Sequence, residues 1–199
     1  MEPPRNGFDF THAMRRVCED MVGRLPELGY IDLEQVAFSF TQARKLGAHG
    51  LYAALTPMRF AAGSRQTIIR GRPYRVAPLT DGRGREILYI LSFYLPRFLN
   101  VSLEEKLSTT LHELWHIGPQ FDGDLRRHEG RCYAHGRSQR EYDQRMDQLA
   151  QRWLALDPPA HRYGFLQWSY AELVAEYGAV VGTRVPAPKL TPVNWSSAR

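Results

Sequence analysis

The chain has 199 residues, 43% hydrophobic and 24% charged, with a net charge of +5. That length and balance allow one domain with a sizeable core, or a domain with a tail, and exclude a disordered chain and a disulfide-stapled miniprotein. No apolar run reaches the roughly 18 residues of a membrane helix, no apolar leader follows Met1, and Cys18 and Cys132 are the only cysteines, so a cytoplasmic protein without a membrane partner is expected.

Residues 10–23 place Phe10, Met14, Val17 and Met21 at helical spacing, with Gly23 as a stop. Leu33 to Phe40 alternates as a strand does. Thr41 to Gly50 is a polar connection. Leu51 to Phe60 and Gln66 to Arg70 read as extended, with Pro57 as a break, and Pro73 to Pro78 as a further strand. Thr80–Asp81–Gly82–Arg83–Gly84 is a turn, and Glu86 to Tyr94 is an apolar strand. Together these predict a small antiparallel sheet of three or four strands. Ser102 with Glu105 forms a capping box. It opens a helix with Leu103, Leu107, Leu111 and Leu114 on one stripe, running to about Ile117 before Gly118–Pro119. Residues 119–137 read as a long loop. Ser138 with Glu141 opens another helix, to about Leu156. One more helix is expected from about Tyr170 to Val180, before a tail marked by Pro186, Pro188 and Pro192.

The chemistry concentrates in His112–Glu113–Leu114–Trp115–His116, an H-E-x-x-H pattern on the predicted helix. Positions i and i+4 lie one above the other, so both imidazoles can reach one metal ion, and Zn²⁺ suits imidazole ligands. Glu113, beside the first ligand, is placed to act as general base toward a zinc-activated water. With this composition, about 195 start positions give about 0.015 chance matches. The surrounding Leu111, Leu114, Trp115 and Ile117 are apolar, unlike a solvated face.

A third ligand is needed. Asp122 follows His112 by ten residues, but Pro119 stands where the metzincin pattern needs Gly. His128 and His135 lie in the loop. Glu141 is the best of the downstream acids. Cys132 is a further donor between the histidines. Tyr133, Tyr142, Arg126 and Arg127 are candidates for stabilising an oxyanion or touching substrate. Cys18, Trp153 and Trp168 read as core, and His12, His49 and His161 show no partner spacing.

The stretch His112 to His135 resembles the small zinc metallopeptidases of phages, bacteria and archaea. Those proteins carry an H-E-L-x-H-I helix, a Phe-x-Gly-x-Leu-Arg loop and a His-Gly before the last helix. The likeness extends weakly over residues 10–156 and, more distantly, to SprT-like and minigluzincin proteases. It implies a zincin-like α+β fold with a compact sheet beside the active helix. It also implies Zn²⁺ held by His112, His116 and His135, with His128 as the alternative third ligand.

The expected architecture is a metallopeptidase domain over 1–157 and a C-terminal extension over 158–199. The expected activity is peptide-bond hydrolysis, with a peptide or protein as substrate. A SprT-like nucleic-acid-associated protease or binding module, and a non-peptidase or structural zinc protein, are the alternatives. The strand Glu86 to Tyr94 is the candidate for pairing with an extended peptide, unless it lies in the sheet interior. Of the 26 basic residues only Lys45, Lys106 and Lys189 are lysine. The arginines are spread along the chain, so the excess reads as genome composition rather than a nucleic-acid footprint. Arg126, Arg127, Arg131, Arg137 and Arg140 crowd the third-ligand segment and could brace its loop or meet an acidic substrate.

Overall fold

The computed structural model describes residues 7–42, 50–127 and 139–193. The architecture is mixed α+β. β1 (Phe8–Asp9) leads into α1 (Phe10–Arg24). The Asp9 side chain caps α1 by accepting from His12 N, satisfying one of the helix's orphan donors. Phe10, Met14, Val17, Cys18 and Met21 form its buried stripe. Leu25 turns extended before Pro26 and ends it, as a residue preceding proline must. Cys18 is a free thiol in the core, and burial pushes it well above the usual thiol range, which makes it unreactive.

Two short 3-10 turns, Pro26–Leu28 and Leu33–Gln35, precede β2 (Val36–Gln42). The expected strand start at Leu33 is therefore a turn, because the Asp32 carboxylate caps it through Glu34 N. β3 (Ala53–Pro57), β4 (Gln66–Ile69), β5 (Arg72–Val76), β6 (Leu79–Thr80), β7 (Glu86–Ile87) and β8 (Tyr89–Leu95) follow. The apolar run 86–94 is two strands. β7 pairs with β6, and the chain passes to the central sheet at Leu88, whose N–H donates to Gln35 O.

That sheet has the order β2–β8–β3. β8 runs antiparallel to β3 but parallel to β2, Phe38 lying opposite Leu91. The all-antiparallel expectation is corrected to a mixed sheet. β8 is also interior, so it has no edge free for an extended peptide; β2 and β3 are the edges, and β2 is met by the C-terminal stretch, where Phe40 N donates to Thr183 O. Tyr89, Leu91, Phe93 and Leu95 are fully buried, each contributing about 1.5–3 kcal/mol by leaving water.

α2 (Leu103–Trp115) packs on β3 and on α3 (Gln139–Ala155). Ser102 caps α2 through Glu105 N at 3.1 Å. α3 is tied to α1 by the buried Trp153, whose indole N–H donates to Asp20 Oδ1 at 3.0 Å. α4 (Ala160–Tyr163) and α5 (Tyr170–Tyr177) follow, then β9 (Val180–Val181) and β10 (Leu190–Pro192). This C-terminal stretch packs against the rest. Leu166 and Leu173 are fully buried in the core, β9 pairs with β1, and β10 pairs with β5. Lys106, 2% exposed, donates from Nζ to Leu166 O and Trp168 O. Trp168 itself is exposed, not core. Among the described residues no helix is long and apolar enough to cross a membrane.

Candidate active site

The last two turns of α2 present His112, Glu113 and His116 together. The two imidazole centroids lie 4.6 Å apart, as the i, i+4 spacing requires. α2 ends at Trp115, with His116 as its right-handed cap. It is shorter than expected because the chain turns back at once. Arg126 N donates to His116 O at 2.7 Å, and Arg126 Nε to Trp115 O at 2.8 Å. These bonds satisfy carbonyls that a helix end leaves open.

The Glu113 carboxylate is buried, and one oxygen accepts from Leu55 N at 2.8 Å. The ladder explains the donor. Tyr52 and Met58 bond to Tyr94 and Leu88, at the two ends of the β8 segment. Alternation then turns Ala53 and Leu55 toward the open side of β3. Burial pushes the Glu113 carboxyl up to about 7, against the downward pull of the Leu55 N–H.

α3 supplies Tyr142 over the same site. Its ring lies 4.8 Å from that of His112 and stacks near His116 at 5.9 Å, while its hydroxyl donates to His112 O at 3.4 Å. Burial is the main reason the Tyr142 hydroxyl holds its proton beyond the usual phenol range, and the nearby Glu113 charge adds to it.

A cleft of about 680 Å³ opens between β3, α2 and α3, with His112 and Glu113 in its wall. Glu104, Glu105, Asp143 and Asp147 also line it, and its described lining has no Lys or Arg. Asp143, Asp147, Gln151 and Leu154 recur on one face of α3. Their spacing is plain in the sequence, but only the packing of α3 against α2 connects it to the site.

The described half of the loop after α2 is braced. Asp124 accepts from Arg127 Nε, Leu125 N and Ala62 N, and its main-chain O accepts from the Tyr89 hydroxyl. Gly123 sits at φ +90°, where a Cβ would strike the Arg59 side chain. Asp122 Oδ1 accepts from Asp124 N. Arg127 braces the loop, as the sequence suggested, through Asp124. Arg126 is turned onto Trp115, 4.1 Å above its ring, and onto the Tyr30 hydroxyl at 2.7 Å. Arg145 from α3 covers the Trp115 ring at 4.1 Å as well.

The structure thus joins His112, Glu113, His116 and Tyr142. His128, Cys132, Tyr133 and His135 lie outside the described residues, and Glu141 is exposed on α3. Among the described residues no three metal-binding side chains cluster. The two imidazoles fit a zinc ion in donor type and spacing. Compared with family models, curated proteins and solved structures, the chain gives no significant match.

Proposed function

We propose that the protein is a zinc-dependent peptidase. The observation that carries this reading is the convergence of His112 and His116, ring to ring, beside the buried Glu113 carboxylate in the wall of a substrate-sized cleft. His112 and His116 would hold Zn²⁺, with His135, or else His128, completing the set. Bound there, the ion would supply Lewis-acid polarisation of the scissile carbonyl and a water of lowered pKa.

The chain's own groups do the rest. The Glu113 oxygen that Leu55 does not occupy takes a proton from water and delivers it to the leaving amine. Leu55 N–H fixes the carboxylate's orientation during that transfer. Tyr142 walls the histidines from α3, its hydroxyl held protonated and so able to donate. The open edge of β3 lies beside Glu113 and offers main-chain groups to an extended peptide.

The test is Glu113→Gln, assayed for bound zinc by mass spectrometry and for turnover on a mixed peptide library. A peptidase loses turnover by at least about 100-fold and keeps its zinc. A structural zinc protein shows no peptide turnover in either form, and a protein without zinc at this site shows the same metal content after His112→Ala.

A further inference from the structure

Folding adds a distant stretch of the chain to a local run of arginines, Arg70, Arg72 and Arg75. Between Glu34 and Asp81 the chain has no Asp or Glu, and it has none after Glu176. β4 and β5 come from the first stretch and β10 from the second, and they pair as one sheet in the order β10–β5–β4. That sheet carries no carboxylate. It bears Arg70, Arg72 and Arg75, all exposed, with Lys189 leading into β10. None of these four forms an ion pair among the described residues. Arg24, Arg59, Arg127 and Arg152 elsewhere are each bonded to a carboxylate.

Strand alternation decides which polyanion fits. Arg72 lies opposite Ile69 and Arg75 opposite Gln66, so these two arginines, three apart, point to opposite faces. Arg70 is at the tip, at φ 49°, followed by Gly71 at φ 75°. Two successive positive φ values make the tight hairpin turn that Asn-Gly favours, and here an arginine holds the first position. Positive charge therefore sits on both faces of the hairpin and at its end. A lipid bilayer would meet only one face. A duplex groove is walled by phosphates on both sides, and the major groove, about 12 Å wide, admits a two-stranded ribbon. The exposed apolar residues are divided too. Ile68 shares a face with Arg75, while Ile69 and Leu190 share one with Arg72. No single apolar patch is left for insertion into lipid. Guanidinium forks match phosphate oxygens.

We propose that the β4–β5 hairpin, backed by β10, is a duplex-nucleic-acid-binding ribbon that enters a groove tip first, with Arg70 leading and Arg72 and Arg75 against the two phosphate walls. The binding is independent of base sequence and of any metal, and stands apart from the peptidase reading.

The test uses the full chain and a fluorescently labelled duplex of about 20 base pairs with arbitrary sequence, titrated by anisotropy between about 50 and 200 mM salt. The wild type binds, and its affinity falls steeply with salt. The triple variant Arg70→Asn, Arg72→Thr, Arg75→Thr uses residues that suit the turn and the strands. It binds at least about tenfold more weakly, and its log–log salt slope is shallower by about 2 to 3, near 0.9 for each phosphate no longer neutralised. If the triple variant misfolds, Arg70→Asn alone, which relaxes the turn, must still weaken binding by at least about threefold. Arg152→Gln, at a paired arginine, leaves binding unchanged. The proposal is overturned if the wild type fails to bind duplex at 50 mM salt, or if the variants bind as the wild type does. Tighter binding to the single strand overturns it as well. Binding to phosphatidylserine vesicles but not to duplex moves the surface to a lipid role and likewise ends the proposal.

Discussion

The Glu113 carboxylate accepts a hydrogen bond from the main-chain N–H of Leu55 at 2.8 Å. α2 and the exposed edge of the central sheet are thus joined through the one acidic side chain of the H-E-x-x-H pattern. The bond gives Glu113 a fixed direction and covers an N–H that β3 would otherwise leave bare.

This link separates two substitutions that activity alone would not. Glu113→Gln keeps an oxygen for Leu55 N–H, whereas Glu113→Ala leaves that N–H unpaired at a cost of about 1–3 kcal/mol. Thermal melts of the metal-free protein should rank the alanine variant below the glutamine variant, although the proposed peptidase would lose turnover in both. Equal melting temperatures would mean that the bond has no structural weight.

The third ligand of the proposed zinc site can be assigned without a metal-bound structure. His135→Ala should weaken zinc binding by at least about 100-fold, while His128→Ala should leave stoichiometric zinc. Competition with a chromophoric chelator measures both. The reverse pattern would assign His128 instead.

Asp124 should make the loop sensitive to acid. Burial alone would raise its carboxyl, but the Arg127 guanidinium and the Leu125 and Ala62 N–H groups outweigh that and hold it below the usual carboxylate range. A depressed folded-state pKa contributes stability above the unfolded value of about 3.9, and that contribution disappears as pH falls through the folded value. Asp124→Asn should therefore be less stable than wild type by about 1–2 kcal/mol at pH 7. The gap should narrow below about pH 4. Urea melts at pH 7, 5, 4 and 3 test this, and a constant gap would contradict it.

Lys106 should hold residues 164–168 in place. Its ammonium donates to two main-chain carbonyls, Leu166 O and Trp168 O. Lys106→Met fills the space but leaves both acceptors unpaired, costing about 1–3 kcal/mol. Limited proteolysis should then cut first between Pro158 and Ser169. An unchanged digestion pattern would show that packing by Leu166 and Leu173 suffices.

The cleft lining should favour basic peptides. Glu104, Glu105, Asp143 and Asp147 surround the approach to Glu113. Peptides with Arg or Lys beside the scissile bond should show higher kcat/KM than their Glu-substituted counterparts, and added salt should shrink the difference. A preference for acidic peptides would point to the arginines of 131–140 instead.

Much of the fold and site is legible in sequence where the signals are local. The Ser102–Glu105 pair and the leucine stripe of α2 announce their helix within a few residues, and H-E-x-x-H places its own side chains. What escapes is long-range. β2 and β8 lie about fifty residues apart, and a period-two pattern does not state which neighbour a strand chooses or in which direction. Leu33 looks strand-like, but the Asp32 cap curls it. The Leu55 N–H carries no side-chain signature, so no sequence pattern could nominate it as a partner for Glu113. Tyr142 is a candidate only by residue type, and the packing of α3 against α2 brings it to the histidines. Arg70, Arg72 and Arg75 are close in the sequence, but their division between two faces and the approach of Lys189 follow only from the pairing of β4, β5 and β10.

Trp115, immediately before His116, carries both the Arg126 and the Arg145 guanidinium groups on its ring, each at 4.1 Å. Two cations against one indole leave it little freedom to rotate, and with it the last turn of α2. The imidazoles are therefore set by folding itself. Under the proposed zinc reading, the entropy of ordering these two side chains is met before an ion arrives, and affinity for it would gain by that amount.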